Sequence, residues 1–364
     1  MKSIWLMASV ALLAGCNISI EQADNGTSSR TNVGGSEAAS VADPNSFLFE
    51  DVDERTNPEK TPNPLMRAQV LLDRSGFSPG VIDGKEGQSF TLALRGFQIA
   101  HDLPDTGKPD QATIKALEKW PDMKATRLVH IPAGFAKGPF FPALPKEAAE
   151  QAKLPALGYR NLIEALAERF HTTPETLIAL NGPKAQIGAN QVIRVPNVPN
   201  IDPASLGEDV RGWNRTLETL AVAPDQPDVA KVVVDKSDGV LRAYDSDDKL
   251  VAQFPATMGS SHDPLPIGIW KIKGVSKNPE FHYNPKLFWD VSDNKEAQLL
   301  PPGPNGSVGV VWIDLSKPHY GIHGTPEPHT IGRAESHGCV RLTNWDAARL
   351  AQMVKPGIPA IFQD

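Results

Sequence analysis

Cysteine is nearly absent from this chain of 364 residues, which has only Cys16 and Cys339. A scaffold stapled by several disulfides is therefore excluded, and although the two thiols could formally pair, their settings point to separate chemistries. Excess positive charge is missing as well. The net charge is −7, and no basic stripe supplies the electrostatic footprint that nucleic acid requires. After Ala14 no long apolar run occurs, so no second membrane-spanning segment is expected. What is present is 40% hydrophobic residues with 33 prolines and 29 glycines. That is enough to build cores interrupted by many turns, and the length predicts two or three domains.

The N-terminus reads as a targeting segment. Lys2 gives a positive start, and Ile4 to Ala14 form an apolar run too short to cross a bilayer comfortably. It ends in Leu13-Ala14-Gly15-Cys16, which resembles the bacterial lipobox. The resemblance implies a signal peptide over 1–15, lipidation of Cys16 as the mature N-terminus, and a periplasmic protein held on a membrane. Asn17, in place of Asp, implies the outer membrane in a diderm bacterium. Residues 16–61 are rich in Ser, Thr, Asn, Gly and acidic residues and cannot bury enough apolar surface to offset chain entropy. A flexible tether is expected there, with a root-mean-square reach of about 35–40 Å. Phe47-Leu48-Phe49 is its one apolar spot.

Two accessory modules follow. Over 62–120, Leu65, Gln69, Leu71 and Leu72 share one helical face and Leu92, Leu94, Phe97 and Gln98 another, across the turn-rich 76–84. The run QVLLDRSGFSPGVIDGKEG…ALRGFQIAHDLPDTGKPDQATIKAL resembles the three-helix peptidoglycan-binding domain of wall hydrolases. Over 153–198, Leu162, Ile163, Leu166, Ala167 and Phe170 repeat at helical spacing, and Thr173-Pro174-Glu175 opens a second helix. The run IEALAERFHTTPETLIALN…IGANQVIRVP resembles a LysM module, a βααβ unit that binds N-acetylglucosamine glycans. Tyr159-Arg160-Asn161 stands where that family has Gly-Asp-Thr. His171 is read as a surface loop residue. Residues 201–228 read as a linker in which Trp213 packs on a neighbour.

From Val229 the periodicity changes to that of strands. Val229–Val234, Val240–Tyr244, Gln253–Met258, Ile269–Val275 and Gly309–Leu315 read as strands, with one amphipathic helix carrying Ala347, Leu350, Ala351 and Val354. Thr343-x-x-Asp346 has the form of a capping box. The fold class is thus multidomain α+β: a three-helix domain, a βααβ module, and a mainly β, sandwich-like domain over 229–364.

The chemistry concentrates in Tyr320-Gly321-Ile322-His323-Gly324-Thr325 and Ser336-His337-Gly338-Cys339-Val340-Arg341-Leu342. A cysteine upstream of a helix, with histidines near it, is in a setting that lowers thiol pKa. An imidazole can take the thiol proton, and glycine beside the cysteine lets a carbonyl approach backbone N–H groups able to hold an oxyanion. The product of such an attack is a thioester that an amine or water can open. Spacing alone leaves zinc binding open, since His319, His323, His329, His337 and Cys339 lie close in sequence. A buried, inert cysteine is also open.

The pattern HG-x11-SHGC-V-R-L resembles the signature of L,D-transpeptidase catalytic domains. Asp263-Pro264-Leu265-Pro266-Ile267-Gly268 resembles that family's TPTG turn, and Leu300 to Gly306 its PPGP loop. The resemblance spans residues 229–362. It implies Cys339 as nucleophile, His323 as general base, and the Gly324 carbonyl as the group orienting His323. His337 and Gly338 would build the oxyanion site, and Ser336, Arg341 and Tyr320 would contact substrate. Arg341 is a variant, many members having Asn there. The family implies no metal and no cofactor, a peptidoglycan stem tetrapeptide as donor, and an amine as acceptor. Water as acceptor would make the enzyme an L,D-carboxypeptidase or amidase instead. A catalytically silent lipoprotein linking membrane to wall is the remaining alternative, and the intact His323 and Cys339 speak against it.

Overall fold

The computed structural model describes residues 47–58, 63–287, 291–292, 294–333 and 338–364. The expected signal peptide, Cys16, Ser336 and His337 lie outside them.

The helical domain forms as its caps dictate. Helix α1 (Pro64–Arg74) starts with Pro at N1 after Asn63, whose side chain accepts from the Met66 N–H. It is followed by α2 (Gln88–Ala100) and α3 (Gln111–Leu117), the latter capped by Asp110. The two glutamines on the apolar faces serve the loops. Gln69 accepts from the Asp83 and Gly84 N–H groups and donates to the Lys85 carbonyl, while Gln98 bridges Gly107, Lys108 and Thr113. Leu71, Leu72, Phe90, Leu94 and Phe97 form the core, and Leu250 of the C-terminal domain completes it.

The second module takes its first strand from upstream of the expected range. Strand β1 (Thr126–His130) pairs antiparallel with β2 (Val192–Pro196). Between them come two single helical turns, α4 (Ala133–Ala136) and α5 (Ala148–Gln151), and then the pair α6 (Leu162–Arg169) and α7 (Pro174–Asn181). The expected tether ends earlier than Thr61. The backbone of residues 50–52 bonds to β1, and Phe49 is buried edge-on between Phe135 and Phe170. His171 is a correction too. It is fully buried, with Nδ1 donating to Asp73, Nε2 facing the Leu220 carbonyl at 2.7 Å, and its ring stacked on Trp345.

The expected linker contributes helix α8 (Trp213–Leu220), whose Trp213, Leu217 and Leu220 face the core of the C-terminal domain. The strands of that domain are β3 (Lys231–Asp235), β4 (Val240–Tyr244), β5 (Leu250–Pro255), β6 (Thr257–Met258) and β7 (Gly268–Lys277), then β8 (Phe281–Tyr283) and β9 (Gln298–Leu300) as a separate hairpin. After these come β10 (Val311–Leu315), β11 (Gly321–His323), β12 (Val340–Arg341), helix α9 (Asn344–Met353) and β13 (Pro359–Gln363). Nine strands run in the order β5-β4-β3-β13-β7-β10-β11-β12-β6. The long β7 pairs with β13 through its first half and with β10 through its second, so it passes from one layer to the other. Ala256 alone separates β5 from β6 at the two ends of that order, splitting the single strand expected over 253–258.

Helix α9 is buried on every side, where an amphipathic helix was expected. Its apolar residues join the core of the β domain, while its polar ones face the accessory modules. Arg349 pairs with Asp73, Asp346 accepts from the Ser78 hydroxyl, and Asn344 donates to Glu168. The described residues accordingly belong to one compact unit.

Candidate active site

Strand β11 ends at His323, and its parallel register with β12 sets Ile322 opposite Val340 and His323 opposite Arg341. Cys339, immediately before β12, is thereby brought to the side of β11 despite the long intervening loop. The thiol lies 3.8 Å from the His319 carbonyl and is bonded to the backbone of Gly321. Gly338 precedes it at φ +90°, and a Cβ there would stand 2.6 Å from Tyr320 Cε1. The half-buried Tyr320 ring thus covers the backbone next to Cys339, which requires glycine twice over, for conformation and for space.

His323 is buried, and its ring stacks on Trp312 with centroids 5.6 Å apart. Its Nδ1 lies 2.7 Å from the Gly324 carbonyl. A carbonyl can only accept, so Nδ1 carries the proton and Nε2 is left with its lone pair. Burial, with Arg341 adding to it, lowers the His323 pKa to about 4. At neutral pH the imidazole is therefore neutral and basic at Nε2.

The expected lowering of the Cys339 thiol is not found. Burial pushes it up, more than the Gly321 backbone bond and the Arg341 charge pull it down. The helix that was to supply the field starts only at Asn344, its N-terminal turn closed by Thr343, whose Oγ1 accepts from the Asp346 N–H at 3.1 Å. At neutral pH Cys339 is thus a thiol and His323 a neutral imidazole.

Gly324 is held from behind. Its N–H donates to the Val308 carbonyl at 3.1 Å, and a Cβ on it would fall 2.3 Å from Asn344 Oδ1. Neither Asn344 nor Trp312 was read from the sequence as part of the site. Asn344 follows the capping Thr343 and carries no signal of its own. In the turn after β6, Ser260 and Asp263 bond to each other, and Gly259 has no room for a Cβ because the Leu265 N–H group would be 2.5 Å away. In the proline-rich loop before β10, the Pro302 carbonyl accepts from the Leu157 N–H, so that loop is clamped by the second module. Among the described residues no three His, Cys, Asp or Glu side chains are grouped to hold a metal ion.

Residues 230–361 match the family model of the L,D-transpeptidase catalytic domain, and residues 62–117 that of the "Putative peptidoglycan binding domain". The chain is 30% identical over 199 residues to "Putative L,D-transpeptidase YkuD" of Bacillus licheniformis, covering 54% of this chain and 89% of that one. The chain belongs to the L,D-transpeptidase family. It is also 27% identical over 202 residues to "Probable L,D-transpeptidase YbiS" of Escherichia coli, covering 49% of this chain and 65% of the relative. Among solved structures, an L,D-transpeptidase from Mycobacterium smegmatis is 24% identical, with 37% of this chain and 58% of that one covered and a TM-score of 0.31.

Proposed function

We propose that this L,D-transpeptidase uses Cys339 as nucleophile and His323 as general base on the stem tetrapeptide of peptidoglycan. The observation that carries the reading is the bond from His323 Nδ1 to the Gly324 carbonyl, which leaves Nε2 free to accept the thiol proton. Sγ attacks the donor carbonyl and the proton passes to Nε2. The C–N bond then breaks, and the leaving amine takes that proton, giving a thioester. An amine acceptor opens the thioester and the thiol is restored. Gly338 and His337 are assigned to the oxyanion site, and Ser336, Arg341 and Tyr320 to the substrate. The Arg341 guanidinium lies within electrostatic reach of the thiol, which favours this assignment.

The same thioester could pass to water, making an L,D-carboxypeptidase or amidase, since both routes share the acyl-enzyme. The decisive experiment is incubation of the protein with disaccharide-tetrapeptide and mass spectrometry of the products. Cross-linked dimer supports the transpeptidase, disaccharide-tripeptide alone supports hydrolysis, and unchanged substrate overturns both. The lipobox resemblance supports lipidation of Cys16 and a periplasmic, outer-membrane location. Cys16→Ala should release the protein from the membrane fraction. The pairing of β1 with β2 around α6 and α7, with α4 and α5 added between β1 and α6, supports glycan contact by the second module, which co-sedimentation with sacculi would test.

A further inference from the structure

Glu168 is a buried carboxyl group that the chemistry at Cys339 does not consume. It lies in the last turn of α6, in the second module, and is 5% exposed. Its two oxygens lie 2.9 and 3.1 Å from Asn344 Nδ2, and Tyr159 Oη donates to Oε2 at 2.9 Å. Asn344, the first residue of α9, is fully buried. Its Nδ2 also donates to the Pro304 carbonyl at 3.1 Å, and its Oδ1 accepts from the Val310 N–H at 3.3 Å.

This places the Asn344 amide against the backbone that holds the base. Oδ1 stands where a Cβ of Gly309 or Gly324 would be, at 2.0 and 2.3 Å from those positions. Gly324 is the residue whose carbonyl receives His323 Nδ1–H. The amide can be oriented only one way, because the Val310 N–H needs an acceptor while the Pro304 carbonyl and the Glu168 carbonyl oxygen, which accepts even when the carboxyl is protonated, take a donor. Without Glu168 only the Pro304 carbonyl would define the Nδ2 end. An amide free to rotate would present N–H to N–H at Val310 and press differently on Gly324. Packing that transmits sub-ångström shifts makes such a change felt at the imidazole.

We propose that Glu168 is a positioning residue for catalysis: acting through Asn344 it fixes the Gly324 carbonyl, and with it the tautomer and orientation of His323. The proposal rests on the reading of Cys339 and His323 as the reacting pair. It makes the second module part of the catalytic machinery.

The test uses the full chain, a carbapenem as acylating probe, and 15N-histidine NMR. Glu168→Ala and the bulkier Glu168→Met remove the acceptor, and Glu168→Gln keeps one. In Glu168→Ala and Glu168→Met the maximal acylation rate should fall by about 10–100-fold, the scale of loss expected from a misplaced reacting group, with half-saturation unchanged. Glu168→Gln should restore it to within about threefold, since its carbonyl still accepts from Asn344. Glu168→Ala/Asn344→Ala should be no slower than Asn344→Ala alone, because the two act in series. Wild type should show one His323 tautomer, protonated at Nδ1, and Glu168→Met a mixture. Folded Glu168→Met acylating at the wild-type rate, or multiplicative losses in the double variant, would overturn the proposal. Failure of wild type itself to be acylated would instead sink the reading of Cys339, and the NMR comparison would still judge Glu168.

Discussion

Asp73, in α1, and Arg349, in α9, form a two-pronged ion pair buried between the helical domain and the catalytic domain. Arg349 Nη1 donates to Asp73 Oδ1 at 3.0 Å and Nη2 to Oδ2 at 2.9 Å, across 276 residues of sequence. Burial alone would raise the Asp73 carboxyl, but Arg349 and His171 overcome it and hold it below the usual carboxylate range. The accessory domain therefore supplies a counter-charge to the helix at the centre of the catalytic domain.

The first prediction concerns that pair. Asp73→Ala leaves the guanidinium buried without its partner, which typically costs about 3–5 kcal/mol. Urea unfolding should show a loss of that order, and a chain trimmed to residues 229–364 should not fold, since it also lacks Trp213, Leu217 and Leu220. A trimmed chain that folds and is acylated would disprove the dependence.

What could be read in advance was local. The caps at Thr173 and Thr343 have their partners within three residues. The strands of the C-terminal domain alternate in hydrophobicity, and His323 and Cys339 stand in a dense motif. What could not be read depends on pairings far apart in sequence. Asp73 with Arg349 and Glu168 with Asn344, the latter 176 residues apart, look individually like polar residues on the outer faces of amphipathic helices. Strand β1 escaped because its partner β2 lies beyond four helices, and α8 because Pro, Asp and Gly surround it. The lowered thiol pKa was expected from a helix end close in sequence, but the field depends on geometry and solvent exclusion, neither of which spacing encodes.

A second prediction is a fall in stability on the alkaline side of neutrality. Burial pushes Glu168 up to about 8, and pushes Asp346 up to about 7 against the pull of Arg349. Both carboxyls bind more protons folded than unfolded, so raising the pH through these values costs stability. The buried His171 and His323 are both held below their ordinary value and act in the opposite sense, but only below about pH 6.5. Between pH 6.5 and 8 the carboxyls dominate, and stability should fall by up to about 2 kcal/mol. Glu168→Gln should flatten most of that slope. A wild-type curve that is level or rising there would contradict the assigned shifts.

A third prediction follows from the space at Gly324. Gly324→Ala would set its methyl 2.3 Å from Asn344 Oδ1, and the amide cannot retreat because Glu168, Pro304 and Val310 hold it. Acylation should drop at least as far as in Glu168→Ala. Asn344→Gly/Gly324→Ala, which clears the clash, should recover part of the lost stability but not the rate, because the amide that steadies the carbonyl is gone. Melting temperature and acylation rate measured on the same samples separate the two effects.

The fourth prediction concerns the reacting pair and its pH dependence. With His323 lowered to about 4, the base stays unprotonated well into acid, so the acid limb of acylation should fall near pH 4 and not near 6.5. Cys339→Ser should give no adduct. His323→Ala removes the proton acceptor, and acylation at pH 7 should drop by about 10²–10⁴-fold. Because burial raises the thiol above its ordinary value of 9.0, the variant should regain rate only above about pH 9, where hydroxide ionises the sulfur unaided. Were the resting state instead a thiolate–imidazolium pair, His323→Ala would leave a thiol titrating at its ordinary value, and iodoacetamide would label wild-type Cys339 rapidly at pH 6. Slow labelling at pH 6 that climbs only in alkali is the outcome expected of a neutral pair, in which the proton moves as the sulfur attacks.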